Sequence, residues 1–269
     1  MAVPKTQYTG MTMDITFTNK PVPYGPLHLS TLAFIAILAA SVFPLLRRAK
    51  EKTLCRMIAV MGLLMIVTEI WKQWFVSVYV YPGITSFWFF PWQLCSMSMY
   101  LSAALPFLKG RGREAALVFL ASFSLLASVF ALLFPGDMMR PQILLFIHSF
   151  AYHALMILEA VCASMILSRH DRPPFRPALV LYLCCAVIAE VINIASHYAA
   201  GKDGIEANMF NITPYYPSTQ PVFHDIAVKI GIIPEIILYL ALIALGSYWI
   251  FKAESRAAGR AVRDARARG

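Results

Sequence analysis

Seven long runs of apolar residues, separated by short polar connections, follow one another along the chain. A transmembrane helix needs about 20 mostly apolar residues to cross the hydrocarbon core of a bilayer. Each run is close to that length or longer, and the runs cover residues 27–46, 54–80, 88–108, 114–134, 141–167, 177–199 and 226–251. The pattern predicts an all-α polytopic membrane protein that folds as a seven-transmembrane-helix bundle. We expect Pro91 in the first turn of the third helix, where its missing N–H has little effect.

The composition is that of a chain lying mainly in the bilayer. Of the 269 residues, 59% are hydrophobic and 14% are charged, against about 25% charged in soluble domains. These values exclude a soluble globular domain, a disordered protein, a coiled coil and a nucleic-acid-binding module. We divide the chain into a polar N-terminal tail at 1–26, a membrane domain at 27–252 and a basic tail at 253–269.

The basic residues are distributed unevenly between the two ends of the predicted helices. Of the 23 Lys and Arg residues, 17 lie in the first, third and fifth connections and in the C-terminal tail. Cytoplasmic loops are enriched in Lys and Arg, so we expect the N-terminus outside and the C-terminus in the cytoplasm. The net charge of +9 then reflects this topology and an attraction of the cytoplasmic face to anionic lipid, not to nucleic acid.

Four of the predicted helices carry polar or ionisable side chains at similar depth. Such groups are costly inside a bilayer and therefore indicate function. They are Glu69, Lys72 and Gln73 in the second run, Gln93 and Cys95 in the third, His148, His153 and Glu159 in the fifth, and Glu190, Asn193 and His197 in the sixth. With the orientation above, they predict a polar cavity open toward the outer side. The alternative is structural pairing, of Glu69 with Lys72 and of Glu190 with His197.

The connection at 200–225 is long and rich in Pro, Tyr and Asn. Connections of this length without regular secondary structure are often functional. We expect it either to cap the cavity or to form a plain surface loop.

Three short stretches resemble motifs of one family of membrane proteins. Phe90-Pro91-Trp92-Gln93-Leu94-Cys95-Ser96 is similar to the Leu-Pro-x-His-Leu-Cys-Ser motif of YwaF-type integral membrane proteins, which are related to the transmembrane protein 164 acyltransferases. Residues 146–155 resemble that family's helix ending in His-Gly-Leu, and residues 208–217 resemble the loop before its last helix. The resemblance extends over about residues 28–252. Gln93 stands where the family often has His, and Ala154 stands where Gly is common.

The resemblance implies a lipid acyltransferase-like fold with Cys95 as the nucleophile and His153 as the base, in a multi-pass protein of a bacterial plasma membrane. The Cys95 thiolate attacks an ester of a membrane phospholipid, and an acceptor lipid or water then takes the acyl group from the thioester. His148 is a second candidate for the base. Candidate supporting residues are Gln93 and Asn193 as donors to the oxyanion, Glu190 and Glu69 as partners that orient the histidine, and His197.

Two other functions fit the same features. The first is a non-catalytic seven-helix protein that binds a small ligand or acts as a sensor, with Cys95 only filling space. The second is a small proton-coupled transporter with Glu69, Glu190 and His197 as the proton relay. Transporters often contain internal repeats, and none is detectable in this sequence.

No cofactor or metal is expected. The chain has no CxxC and no Cys/His spacing typical of zinc sites. The remaining four cysteines are expected to pack as small apolar residues. They are Cys55, Cys162, Cys184 and Cys185.

Overall fold

The computed structural model describes residues 16–171, 173–201 and 204–267, with side chains up to Arg256. Nine α-helices lie in this part of the chain: α1 Pro26–Arg48, α2 Glu51–Phe75, α3 Ser96–Ala104, α4 Gly110–Phe119, α5 Leu125–Leu133, α6 Ile143–Leu167, α7 Arg176–Ala199, α8 Phe223–Ile230 and α9 Ile232–Ala267. The predicted all-α class is confirmed. Outside the described residues lie the first 15 residues of the predicted polar tail, Arg172, Lys202, Arg268 and the side chains of Arg260, Arg263 and Arg266.

Six of the described helices are long and apolar enough to cross a membrane, so the chain is a multi-pass integral membrane protein. A π-helical turn, Val76–Val80, extends α2, and a second one, Leu120–Ser124, joins α4 and α5 into one continuous helix. That continuous helix supplies much of the core. The rings of Phe119 and Phe123 stack on each other, and Phe123 stacks on Tyr182 of α7.

The predicted third helix at 88–108 is wrong in its first half. Regular α-helix begins only at Ser96, so Pro91 lies in an irregular segment and not in a first helical turn. The nine residues of α3 rise only about 13 Å, less than half of a bilayer core of ~30 Å. The side chains before it bond across the bundle, since Trp92 Nε1 donates to the Cys185 carbonyl at 3.1 Å. Such irregular backbone is tolerated at membrane depth where protein surrounds it or where it lines a cavity.

The last predicted run is divided in two. Gly231 has φ +95°, a conformation that glycine adopts without strain, and it separates α8 from α9. After this break α9 continues beyond the predicted end at 251 to Ala267, so part of the predicted basic tail is helical. The other five predicted helices begin and end within a few residues of the observed ones.

The basic connections meet at one end of the bundle. Glu51 accepts a hydrogen bond from Arg113 at 2.9 Å and pairs with His170 at 2.7 Å, which ties the first, third and fifth connections together. We call this the basic end. At the opposite end, which we call the cavity end, the segment before α3 pairs with the connection after α7, through Phe87 N–H donating to the Ile205 carbonyl at 2.7 Å.

Candidate functional site

A cavity of about 670 Å³ lies near the cavity end. Its walls come from α2, the irregular segment before α3, α5, α6 and α9, and the connection before α8 contributes further wall residues. Six of the polar residues singled out in the sequence line it together. They are Glu69, Lys72, Gln93, Cys95, His148 and His153.

Cys95 lies directly before α3, is half-buried and lines the cavity. The positive end of the α3 dipole is therefore next to this residue. The first backbone N–H groups of the helix are already used, because Ser96 N–H donates to the Gln93 carbonyl at 2.8 Å and Met97 N–H to the Leu94 carbonyl at 3.3 Å. They are consequently not free to bind an oxyanion.

His153 of α6 is held in one tautomer by its own helix. Its Nδ1 lies 2.7 Å from the Ser149 carbonyl oxygen. A carbonyl can only accept, so Nδ1 carries the proton and Nε2 keeps a free lone pair. Nε2 is buried and has no hydrogen-bond partner among the described residues. An unpartnered buried acceptor in a cavity that also contains a thiol is the arrangement expected of a general base.

His148 lies one turn earlier on α6 and differs in its contacts. Its ring packs between the rings of Trp71, at 6.1 Å, and Tyr152, at 5.7 Å. Its Nε2 is also buried without a partner in the described part of the chain. His148 therefore shares the cavity with His153, but its backbone hydrogen bond goes to Thr68 of another helix, α2, instead of to its own helix.

Glu69 and Lys72 form the ion pair expected from their spacing, with Nζ 2.7 Å from Oε1. Gln73 Nε2 also donates to Glu69 Oε1 at 2.7 Å and to the Phe89 carbonyl. The Glu69 carboxylate is thus neutralised and held in place. Gln73, which bonds to both groups, links α2 to the segment before α3 at the wall of the cavity.

Gln93 and Asn193 act on the connection before α8 instead of pointing free groups at the sulfur. Gln93 Nε2 donates to the Asn208 carbonyl, and its Oε1 accepts from Phe210 N–H, both at 2.9 Å. Asn193 of α7 likewise accepts from Met209 N–H at 2.6 Å and donates to the Met209 carbonyl at 3.2 Å. We call these two side chains with residues 208–210 the amide clamp.

The clamp holds a strained backbone. Phe210 has φ +56° and Asn211 φ +58°, a region that non-glycine residues enter only at a cost of order 1–3 kcal/mol each. Both side chains line the cavity, together with Gln220 and Val222 of the same connection. The connection thus forms part of the cavity wall, as expected for a cap.

Glu190 and His197 lie on α7 outside the cavity lining, and the structure bonds each to another residue instead of to each other. His197 Nδ1 pairs with Glu206 at 2.9 Å, and its ring stacks on Tyr215 at 3.6 Å. Glu190 contacts Asn193 at 3.4 Å. Glu159 also lies apart from the cavity, where it accepts a hydrogen bond from Ser98 at 2.5 Å.

Tyr152 is the residue that the sequence reasoning missed. Tyr152 lines the cavity and lies within electrostatic range of Cys95, and its hydroxyl is buried without a partner among the described residues. The signal was present, because Tyr152 directly precedes His153 in the stretch that resembles the family motif. It was overlooked since a tyrosine in an apolar helix is usually a packing residue.

The fold and the site define a multi-pass membrane protein with a thiol and two histidines in one cavity. The chain belongs to the TMEM164 family, whose model matches residues 23–253. That range includes all the residues that line the cavity. No curated protein sequence and no solved structure matches the chain.

Proposed function

We propose that this protein is a membrane-embedded lipid acyltransferase or phospholipid acyl hydrolase that works through a thioester on Cys95. One observation carries the proposal. The His153 ring is fixed by the Ser149 carbonyl at 2.7 Å, and this leaves Nε2 unprotonated and unpartnered in the cavity that Cys95 lines. Membership of the acyltransferase-related TMEM164 family agrees with this chemistry.

In the first half of the reaction, His153 Nε2 takes the proton from the Cys95 thiol. The thiolate attacks the carbonyl carbon of a phospholipid ester and forms a tetrahedral oxyanion. As the carbon–oxygen bond breaks, the protonated His153 gives its proton to the leaving lysolipid oxygen. The acyl group remains on Cys95 as a thioester.

In the second half, His153 takes a proton from the hydroxyl of an acceptor lipid or from water. The activated oxygen attacks the thioester, and the thiol is regenerated when His153 returns the proton to sulfur. The structure describes no hydrogen bond between the Cys95 thiol and His153. Such bonds often form only when substrate is bound.

Tyr152 is the preferred donor to the oxyanion. Its buried hydroxyl is unpartnered in the described part of the chain. Within the amide clamp, the side-chain oxygens of Gln93 and Asn193 accept bonds from the backbone of residues 208–210, and their amide nitrogens donate to it, so neither is free for the oxyanion. A donor already aimed at the reaction site stabilises the developing charge without reorganisation.

The orientation in the membrane is part of the proposal. The bundle is a seven-pass domain over 27–252, with the N-terminus outside and the basic end in the cytoplasm, where it contacts anionic lipid. The clustering of the first, third and fifth connections around Glu51 supports this arrangement. The cavity then lies toward the outer leaflet, where it meets phospholipid substrate.

Acyl-enzyme trapping tests the proposal. Purified protein is incubated with a phospholipid that carries a tagged acyl chain, and mass spectrometry locates a hydroxylamine-labile adduct. We expect the adduct on Cys95 in the wild type, none in Cys95→Ala, and at least about a hundredfold slower formation in His153→Ala.

Cys184→Ala is the matched control, because Cys184 is an exposed thiol on α7 away from the cavity. It should form the adduct at the wild-type rate. Absence of any adduct in folded wild-type protein, over several headgroups, would contradict the proposal. It would favour a non-catalytic protein that binds a small ligand in the same cavity.

A further inference from the structure

The apolar part of the cavity is a slot between α5 and α9. One wall consists of Leu126, Ala127, Phe130 and Ala131, and the other of Leu242, Ile243 and Gly246. Two alanines and a glycine among these residues have small side chains, which leave space between the walls. The slot is continuous with the polar part that contains Cys95 and His153, because all of these residues line one cavity.

The slot opens sideways, toward lipid. Phe130 of α5 is 47% exposed and Leu242 of α9 is 44% exposed, although both line the cavity. Each also neighbours an exposed residue of its own helix that does not line the cavity, Leu133 beside Phe130 and Leu238 beside Leu242, so both lie at the edge between the cavity and the outer surface of the bundle. Both residues belong to helices that are long and apolar enough to span the membrane. The opening is therefore bordered by apolar side chains at the depth of lipid acyl chains.

The inner end of the slot lies where the two helices come together at Gly246. A methyl group at this position would lie only 3.1 Å from Leu126 Cδ2, which is tighter than an ordinary contact. Gly246 is about 20 Å along α9 from Ile232, toward the basic end. A side chain added here would occupy the slot instead of opening it.

We propose that this slot binds one acyl chain of a membrane lipid, admits it laterally between α5 and α9, and sets the preferred chain length at Gly246 and Leu126. The inference rests on the proposed function, since it takes the bound chain to be the acyl group transferred to Cys95. Apolar walls and an opening toward lipid favour a hydrocarbon chain over a polar soluble ligand. The chain comes from a lipid environment that is already apolar, so chain-length preference arises from packing and fit inside the slot and not from transfer out of water.

The chain-length profile of thioester formation tests this inference. Phosphatidylglycerols with one tagged acyl chain of graded length are given to the wild type, Gly246→Leu and Leu126→Ala. We expect Gly246→Leu to lower the ratio of long-chain to short-chain thioester about tenfold. Leu126→Ala should shift the ratio the opposite way, about fourfold. The flexible end of Leu126 can yield to the new side chain, so Gly246→Leu is expected to fold.

Gly112→Leu is the matched control, because Gly112 lies on α4 away from the cavity and has only Leu108 Cδ2 near, at 4.0 Å. It should keep the wild-type ratio. If thioester forms but all three variants share the wild-type profile, the slot does not hold the acyl chain. If Gly246→Leu does not fold, the chain-length profile of Leu126→Ala tests the inference by itself.

A second measurement does not depend on the reaction. Cys95→Ala protein in vesicles receives phosphatidylglycerol with a photoreactive group near the end of its acyl chain. Cross-links to Ala127 and Ile243, which face the slot, support the inference even if no thioester ever forms on the wild type. Cross-links confined to Leu245, which is exposed on the outer face of α9, would overturn it.

Discussion

The cavity and the amide clamp are two polar regions at the same end of the molecule, and they differ in how their atoms are satisfied. In the clamp, Gln93 and Asn193 each bind backbone donors and acceptors of the segment at 208–210. In the cavity, His153 Nε2 and the Tyr152 hydroxyl have no partner among the described residues. A buried polar atom without a partner costs about 1–3 kcal/mol. The clamp therefore stabilises the fold, whereas the cavity retains bonding capacity for a substrate.

Two buried histidines show the same contrast. His28 of α1 accepts from Tyr24 N–H through Nδ1, so its Nε2–H donates to the Leu132 carbonyl, both at 3.0 Å. Both ring nitrogens are used, and the residue joins α1 to α5. His153 uses only Nδ1. Residue type and burial alone thus do not separate a structural histidine from a candidate base, whereas the bonds of the second ring nitrogen distinguish His28 from His153.

The largest effect is expected from replacing each of these two histidines by alanine. His153→Ala should slow acylation of Cys95 by about 10²–10⁴-fold, the usual contribution of a general base, with little loss of stability. His28→Ala should instead lower the free energy of unfolding, because the Leu132 carbonyl and the Tyr24 N–H lose their partner. Single-turnover rates and thermal unfolding in detergent measure the two quantities. A greater rate loss in His148→Ala than in His153→Ala would make His148 the base.

A smaller loss is expected from Tyr152→Phe. Removing one oxyanion donor typically lowers kcat by about 10²–10³-fold, and we expect the lower end here. KM should stay near the wild-type value because the contact forms only in the transition state. The protein should not be destabilised, since the hydroxyl has no partner in the described structure. Wild-type kcat in Tyr152→Phe would remove this residue from the mechanism.

The smallest effect on the reaction is expected from the clamp. Asn193→Ala leaves the Met209 N–H and carbonyl without their partner and should lower the free energy of unfolding by about 1–3 kcal/mol. Thioester formation at a temperature well below unfolding should fall far less than in His153→Ala. Gln220→Ala is the control for stability, because the Gln220 side chain makes only a 3.5 Å contact with Asn211. Equal destabilisation by the two variants would mean that the clamp contributes little.

The sequence predicted the long helices well and the irregular segments poorly. Helices α1, α2, α6 and α7 follow from apolar length alone, because backbone groups in lipid must bond within their own helix. The segment at 81–95 is equally aromatic and apolar, yet it is irregular since its backbone and side chains bond to the connection after α7, as Phe87 does with Ile205. Partners more than 100 residues away leave no local pattern.

The candidate site was predicted in part for the same reason. Depth in the bilayer placed Cys95, His148, His153, Glu69 and Lys72 in one layer, and the structure brings them to one cavity. Depth does not determine which face of a helix looks inward. Glu190, Asn193 and His197 share the layer but face the segment at 206–215 instead.

The length of the apolar runs determines from the sequence alone that this chain lies in a membrane. The distribution of Lys and Arg determines that the first, third and fifth connections are basic. These are one-dimensional properties, because each helix satisfies its own backbone wherever it packs. The tertiary structure alone decides that Gln93 is bonded to Phe210 and that His153 Nε2 is left unbonded. Whether a buried polar atom finds a partner depends on the approach of distant segments, and that difference separates the clamp from the candidate catalytic site.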